Sequence, residues 1–202
     1  MYWGNPDVSV KFCEDKYKVS NYVAEYYNTL SAISYILVGI LLYNTKLKEI
    51  AISTILLGTG TGILHSTLRY YGQWLDELSM LTLSFFLIKR LRKCELNKET
   101  NNLILFILFF IYFVFVNYFI IFLGVFSALQ IYLYKLSKSA KIFKNKWKRR
   151  LINLYIFIFI ISSMCWVMDQ TLCNYVKDYN LHAIWHIGTS ISLLLGSISL
   201  LD

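Results

Sequence analysis

The chain has 202 residues, 57% hydrophobic and 17% aromatic, with a mean hydropathy of +0.51 and a formal net charge of +8. Soluble domains are less apolar and more charged, so this composition excludes an ordinary soluble globular protein. The basic residues sit beside apolar stretches, where membrane orientation and lipid headgroups account for them, and no nucleic-acid partner is expected.

One proline and nine glycines argue against long flexible linkers, and the length suits a single integral membrane domain over 1–202. The first 22 residues are polar and mixed in charge. They lack the basic start and short apolar core of a secretory signal, so no cleaved leader is expected. A spanning helix needs about 20 mostly apolar residues. In chain order, spans are predicted near 22–44, 50–69, 74–90, 102–116, 118–136, 149–170 and 181–201. The run 102–136 is too long for one span and is divided at its most polar point, Asn117-Tyr118. The predicted fold class is therefore all-α, an integral membrane bundle of seven transmembrane helices.

Seven spans put the termini on opposite sides. Loops one, three and five, with the basic stretch 135–150, then carry 15 of the 20 Lys and Arg residues. The positive-inside rule places that side and the C-terminus in the cytosol, and the N-terminus in the lumen or outside the cell. The aromatic residues Tyr2, Trp3, Tyr26, Tyr27, Tyr70, Tyr71 and Trp74 fall near the predicted interfaces, where aromatic belts are common.

All three histidines fall in two of these spans. His65 lies toward the end of span two; His182 and His186 open span seven at i and i+4, on one helix face. The predicted topology brings all three to the N-terminal side of the membrane, a coincidence not built into the charge count. Packing alone explains a lone intramembrane histidine. It does not explain an i, i+4 pair with a third at matched depth, because polar groups in lipid need partners. Three neutral imidazoles with one open position are the ligand set of a catalytic zinc, which activates water near neutral pH. The expected cofactor is Zn2+, and the membrane setting makes a lipid the expected substrate.

Thr61 precedes His65 by one helical turn and shares its face, so its hydroxyl is a candidate to support an oxyanion. The competing reading is a back-bond to a helix carbonyl. Asp76, at the predicted start of span three, is a candidate proton shuttle. Its competing reading is a first-turn acid favoured by the helix dipole, a role assigned here to its neighbour Glu77. Asp169, at the end of span six, is open between several roles, pairing with a loop cation among them. Cys13 and Cys173 both fall on the oxidising side, and a disulfide between them is expected.

These residues carry a family resemblance. Tyr2-Trp3-Gly4 with Pro6, Cys13-Glu14, the run Ala24 to Thr29, His65, Leu75-Asp76-Glu77-Leu78 with Met80, and Leu181-His182-Ala183 with Trp185-His186 resemble, in order and spacing, the alkaline ceramidases. The resemblance implies a seven-span amidohydrolase that cleaves the N-acyl bond of ceramide or a related lipid in an endoplasmic reticulum or Golgi membrane. It also implies zinc on His65, His182 and His186, with Asp76 as proton shuttle. That family usually has serine where Thr61 stands; threonine keeps the hydroxyl but stiffens χ1. It also carries an N-terminal calcium site, and the matching positions here are Lys11, Phe12, Glu14, Lys16 and Glu25. Two lysines replace oxygen ligands, so calcium is expected to be absent, with an ammonium paired to Glu14 and Glu25.

The histidine blocks alone are shared with adiponectin-receptor-like and haemolysin-like proteins. A receptor of the adiponectin or progestin type is therefore the second reading, and it implies the opposite orientation. A metal transporter is disfavoured because the polar residues gather on one side. A retinal pump is disfavoured because span seven has no lysine.

Overall fold

The computed structural model describes residues 1–139 and 145–201. Lys141 and Lys144, part of the predicted basic loop, lie outside the described residues. Among the described residues the chain is all-helical from Tyr26 onward, with short connections and no strand, and residues 1–25 form an irregular loop.

Helices α1 (Tyr26–Ser31) and α2 (Ile33–Tyr43) form one apolar run interrupted at Ala32. They are followed by α3 (Lys48–Thr67), α4 (Tyr70–Leu96), α5 (Leu103–Val114), α6 (Phe119–Ser139), α7 (Lys146–Thr171), the short α8 (Cys173–Val176) and α9 (Leu181–Ser199). Among the described residues, five segments are long and apolar enough to cross a membrane: Tyr26–Tyr43, Lys48–Thr67, Phe119–Lys138, Lys146–Thr171 and Leu181–Ser199. Phe106, Phe110 and Ile120 are each about two-thirds exposed, the surface of a membrane protein whose outer face meets lipid.

Two predicted spans depart from that pattern. The fourth contains a helix of 12 residues, roughly 18 Å long, which by itself is shorter than the ~30 Å hydrocarbon core. The third is longer than expected, 27 residues, but Asp76 and Glu77 near one end and a basic run at the other lower its hydropathy. The divide between α5 and α6 falls at 115–118, bracketing Asn117-Tyr118.

The apolar core gathers at the end where α2 turns into α3, with Leu42, Leu47, Ile50, Leu91, Ile152 and Leu200 in one cluster. The opposite end of α3 is polar. There α3 stops at Leu68, whose left-handed backbone (φ 52°) turns the chain sharply into α4. Asp7 from the N-terminal loop accepts the Tyr70 N–H at 2.6 Å and pairs with Arg69 at 2.8 Å, capping α4 from outside. Helices α3 and α4 pack closely because glycines stand at their crossing. A Cβ on Gly60 would lie 2.7 Å from the Asp76 backbone nitrogen, and one on Gly72 would lie 2.7 Å from the Leu64 Cα.

The N-terminal loop is sewn onto this polar end. Ala24 N–H donates to the Ser66 carbonyl and Glu25 N–H to the His65 carbonyl, both at 2.9 Å. A disulfide joins Cys13 to Cys173, the pair expected from the sequence, with Cα atoms 5.3 Å apart. It ties the loop to the start of α8, eight residues before α9 resumes the bundle.

Candidate metal centre

Helices α1 and α2 pack against both α3 and α9 and so draw the ends of those two helices together. His65 from α3 and His182 and His186 from α9 meet there. Their ring centroids are 5.0, 5.0 and 4.6 Å apart, and all three side chains are buried. One ligand atom from each lies within 4.8 Å of the others. The i, i+4 spacing on α9 accounts for one pair, and the tertiary fold supplies the third member.

The outer nitrogens show which ring atoms are free to bind. Glu25 Oε2 lies 2.6 Å from His65 Nδ1, so this nitrogen donates to the carboxylate. Ser31 Oγ lies 2.7 Å from His186 Nδ1. The Ser31 hydroxyl already donates to the Asn28 carbonyl at 2.8 Å, which leaves its oxygen to accept from His186. Both imidazoles are thereby held with Nδ1 protonated and Nε2 as the free lone pair. His182 Nδ1 is buried without a hydrogen bond, with Asp169 Oδ2 3.8 Å away. These donors fit a divalent metal: nitrogen ligands, outward nitrogens mostly engaged, and exclusion from water.

Asp76 and Thr61 stand beside the cluster. Thr61 Oγ1 donates to Asp76 Oδ1 at 2.5 Å and also lies 2.8 Å from the Leu57 carbonyl. The back-bond geometry is therefore present, and the same hydroxyl also reaches the Asp76 carboxylate. Asp76 is the seventh residue of α4, one turn deeper than a first-turn acid, so the dipole reading does not apply to it. Nor does it apply to Glu77, which is buried; its carboxylate accepts from Tyr112 at 2.7 Å and Gln73 at 2.8 Å. Helix α4 starts at Tyr70, four residues before the predicted span, so Tyr70 and Tyr71 form its first turn as well as lying at the predicted interface. Among the described residues Asp169 forms no ion pair with a Lys or Arg; it accepts from the Cys13 backbone N–H at 3.3 Å.

Lys16 pairs with Glu25, as anticipated, but not with the Glu14 side chain. Its Nζ bonds instead to the backbone carbonyls of Phe12 (2.7 Å) and Glu14 (2.9 Å). The Glu14 carboxylate takes the N–H groups of Tyr27 (2.7 Å) and Asn28 (2.9 Å) and so caps α1. Burial raises the Glu14 carboxyl above its ordinary value, against those two backbone donors. Burial also raises that of Glu25, but His65 and Lys16 outweigh it and hold Glu25 below the usual glutamate value.

The cluster opens onto a cavity of about 390 Å³. Along α4 its wall runs from Gln73 to Leu87, about 20 Å at ~1.5 Å per residue. The three histidines, Thr61 and Asp76 line it with apolar residues such as Met80, Leu83, Phe122, Phe126 and Trp185. Ser31 and Tyr112 carry no sequence signal toward the site, and Phe12, marked in the sequence only by its match to the calcium site, packs its ring on His65 and His182. Each reaches the site through the fold, with no spacing signal toward the histidines.

A helical membrane bundle with a buried three-histidine cluster and an acid–hydroxyl pair at the wall of an apolar cavity defines a candidate metal-dependent membrane hydrolase. Comparison with known proteins places it more closely. The chain belongs to the ceramidase family, whose model matches residues 4–201, and so is an enzyme of the amidohydrolase class. It is 22% identical to an alkaline ceramidase of Arabidopsis thaliana, over 95% of this chain and 82% of that protein. It is 26% identical to human alkaline ceramidase 1, over 95% of this chain and 81% of the relative. Against mouse alkaline ceramidase 3 the identity is also 26%, over 94% and 81%.

Proposed function

We propose that this protein hydrolyses the N-acyl amide bond of ceramide, or of a closely related N-acyl lipid, giving a sphingoid base and a fatty acid. The observation that carries the reading is the placement of Thr61 and Asp76 against three convergent imidazoles at the wall of an apolar cavity. The ceramidase membership supports the substrate class.

His65, His182 and His186 would hold the metal, zinc by the donor set, which supplies an activated water and a Lewis acid when bound. Glu25 and Ser31 orient two of the imidazoles. Asp76 takes a proton from the attacking water and returns it to the departing amine. Thr61 holds the Asp76 carboxylate in place. Once Asp76 is protonated it accepts less strongly, and the Thr61 hydroxyl turns toward the developing oxyanion. The apolar cavity takes acyl chain and keeps bulk water from the amide.

The reading includes seven crossings, with Tyr26–Tyr43 as the first and α5 completed by its flanking residues. The N-terminus and the site lie on the lumenal or extracellular side, and the C-terminus is cytosolic. An endoplasmic reticulum or Golgi membrane suits that orientation in a eukaryotic cell. Calcium has no part in it, since Lys16 Nζ already occupies the oxygens around Glu25. The receptor alternative is disfavoured by the ceramidase match over nearly the whole chain.

Purified protein, with His186→Ala and Asp76→Asn variants, tests the reading through metal content and fatty-acid release from several ceramides. His186→Ala is expected to lose both, whereas Asp76→Asn keeps zinc and loses turnover. A zinc-loaded wild-type chain that leaves every ceramide intact overturns the proposal. A tag-accessibility assay on intact cells checks the orientation.

A further inference from the structure

The N-terminal loop carries a cation of its own. Lys16 Nζ reaches three oxygens: the carbonyls of Phe12 and Glu14, at 2.7 and 2.9 Å, and Glu25 Oε1. Three acceptors satisfy the three donors of an ammonium. Lys18, two residues on, pairs with exposed Asp15, at 3.0 Å.

Each oxygen that Lys16 holds belongs to a residue that bears on the histidine cluster. The Phe12 ring packs against His65 and His182, with centroids 4.6 and 4.5 Å away. The Glu14 carboxylate caps α1, and α1 carries Ser31, the partner of His186. Glu25 is fully buried, and its second oxygen receives His65 Nδ1–H at 2.6 Å.

We infer that Lys16 is a positioning residue: its ammonium clamps the N-terminal loop onto the three-histidine cluster and holds Glu25 against His65, so that Nε2 of His65 is presented to the metal. The inference deepens the proposed function and rests on its metal-binding reading. Without the ammonium, Glu25 Oε1 is a buried carboxylate oxygen with no partner in the loop. The carboxylate then turns toward whatever donor or water it can reach, and His65 loses its fixed orientation. A tethered cation also cannot dissociate, so the loop keeps its shape without any free ion.

The test uses the full chain in detergent micelles. Metal affinity is measured by chelator competition, and ligand geometry by the visible bands of the Co2+-loaded protein. Lys16→Ala is expected to weaken metal binding about 10–100-fold, the usual cost of losing a ligand's supporting partner, and to shift the cobalt bands. Excess ethylammonium, which fills the vacated position, should restore part of the loss. Lys16→Arg, which keeps the charge, should stay within a few-fold of wild type, and Lys18→Ala should match it. If Lys16→Ala loses its helical signal, Lys16→Met repeats the test with the stem retained and only the charge removed. Wild-type affinity and unchanged cobalt bands in the Lys16→Ala or Lys16→Met protein overturn the inference alone. A wild-type chain that binds no metal overturns both this inference and the metal reading beneath it.

Discussion

Thr61 Oγ1 and Asp76 Oδ1 are 2.5 Å apart, across the crossing of α3 and α4. The contact makes one unit of two residues 15 positions apart in sequence. Thr61→Val, which keeps the shape and removes the hydroxyl, is expected to lower kcat by about 10²-fold or more, with bound metal unchanged. Asp76→Asn should cost about 10²–10⁴-fold. Because the two act together, the double variant should be little worse than Asp76→Asn alone. Thr61→Ser should retain at least wild-type turnover. Steady-state rates and metal content on the same preparations decide these points.

Ser31 Oγ stands 2.7 Å from His186 Nδ1 and steadies the ring from outside the cluster. Ser31→Ala is expected to weaken metal binding roughly tenfold, read by chelator competition, with the helical content intact. Asp169→Asn should do less, because its oxygen stands 3.8 Å from His182 Nδ1, beyond hydrogen-bond range.

The lowered carboxyl of Glu25 sets a pH dependence with a definite sign. An acid held below its ordinary value of 4.5 contributes stability that is complete above that value. The contribution fades as pH falls through the lower folded value. In metal-free protein, the gap in unfolding temperature between wild type and Glu25→Gln should be widest near neutrality and close in acid. Glu14, raised by burial, runs the other way: its contribution is present in acid and declines as pH rises past 4.5 toward the raised folded value. A Glu25→Gln gap that widens toward acid would contradict the assignment.

Gly60→Ala should damage both stability and activity. Its new Cβ would lie 2.7 Å from the Asp76 nitrogen, and backbone on both sides leaves little room to give. Overpacking of this kind costs about 1–3 kcal/mol and would push Asp76 from Thr61. Gly124→Ala on α6 is the comparison. Among the described residues, no atom of another element lies within 4 Å of a Cβ built there, and alanine should stabilise the helix by about 0.5–1 kcal/mol. Thermal unfolding in detergent measures both.

Much of this protein is legible in one dimension. Apolar runs of spanning length mark a helical membrane protein, because lipid forces backbone polar groups to bond within a segment. The i, i+4 spacing of His182 and His186 puts both on one face by helical geometry alone. Cys13 and Cys173 could be paired from the side of the membrane that the charge pattern predicts for each. What the chain order cannot express is which distant groups converge at those histidines. That Glu25 rather than water steadies His65, that Ser31 steadies His186, and that Lys16 reaches Glu25 all follow from α1, α3 and α9 closing on one point. Glu77 shows the same limit from the other direction. Read locally it is a surface acid at a helix start, but α4 begins at Tyr70, and the fold buries Glu77 against Gln73 and Tyr112. Local spacing is set by the backbone's own period, whereas the surroundings of a side chain depend on where other helices pack against it.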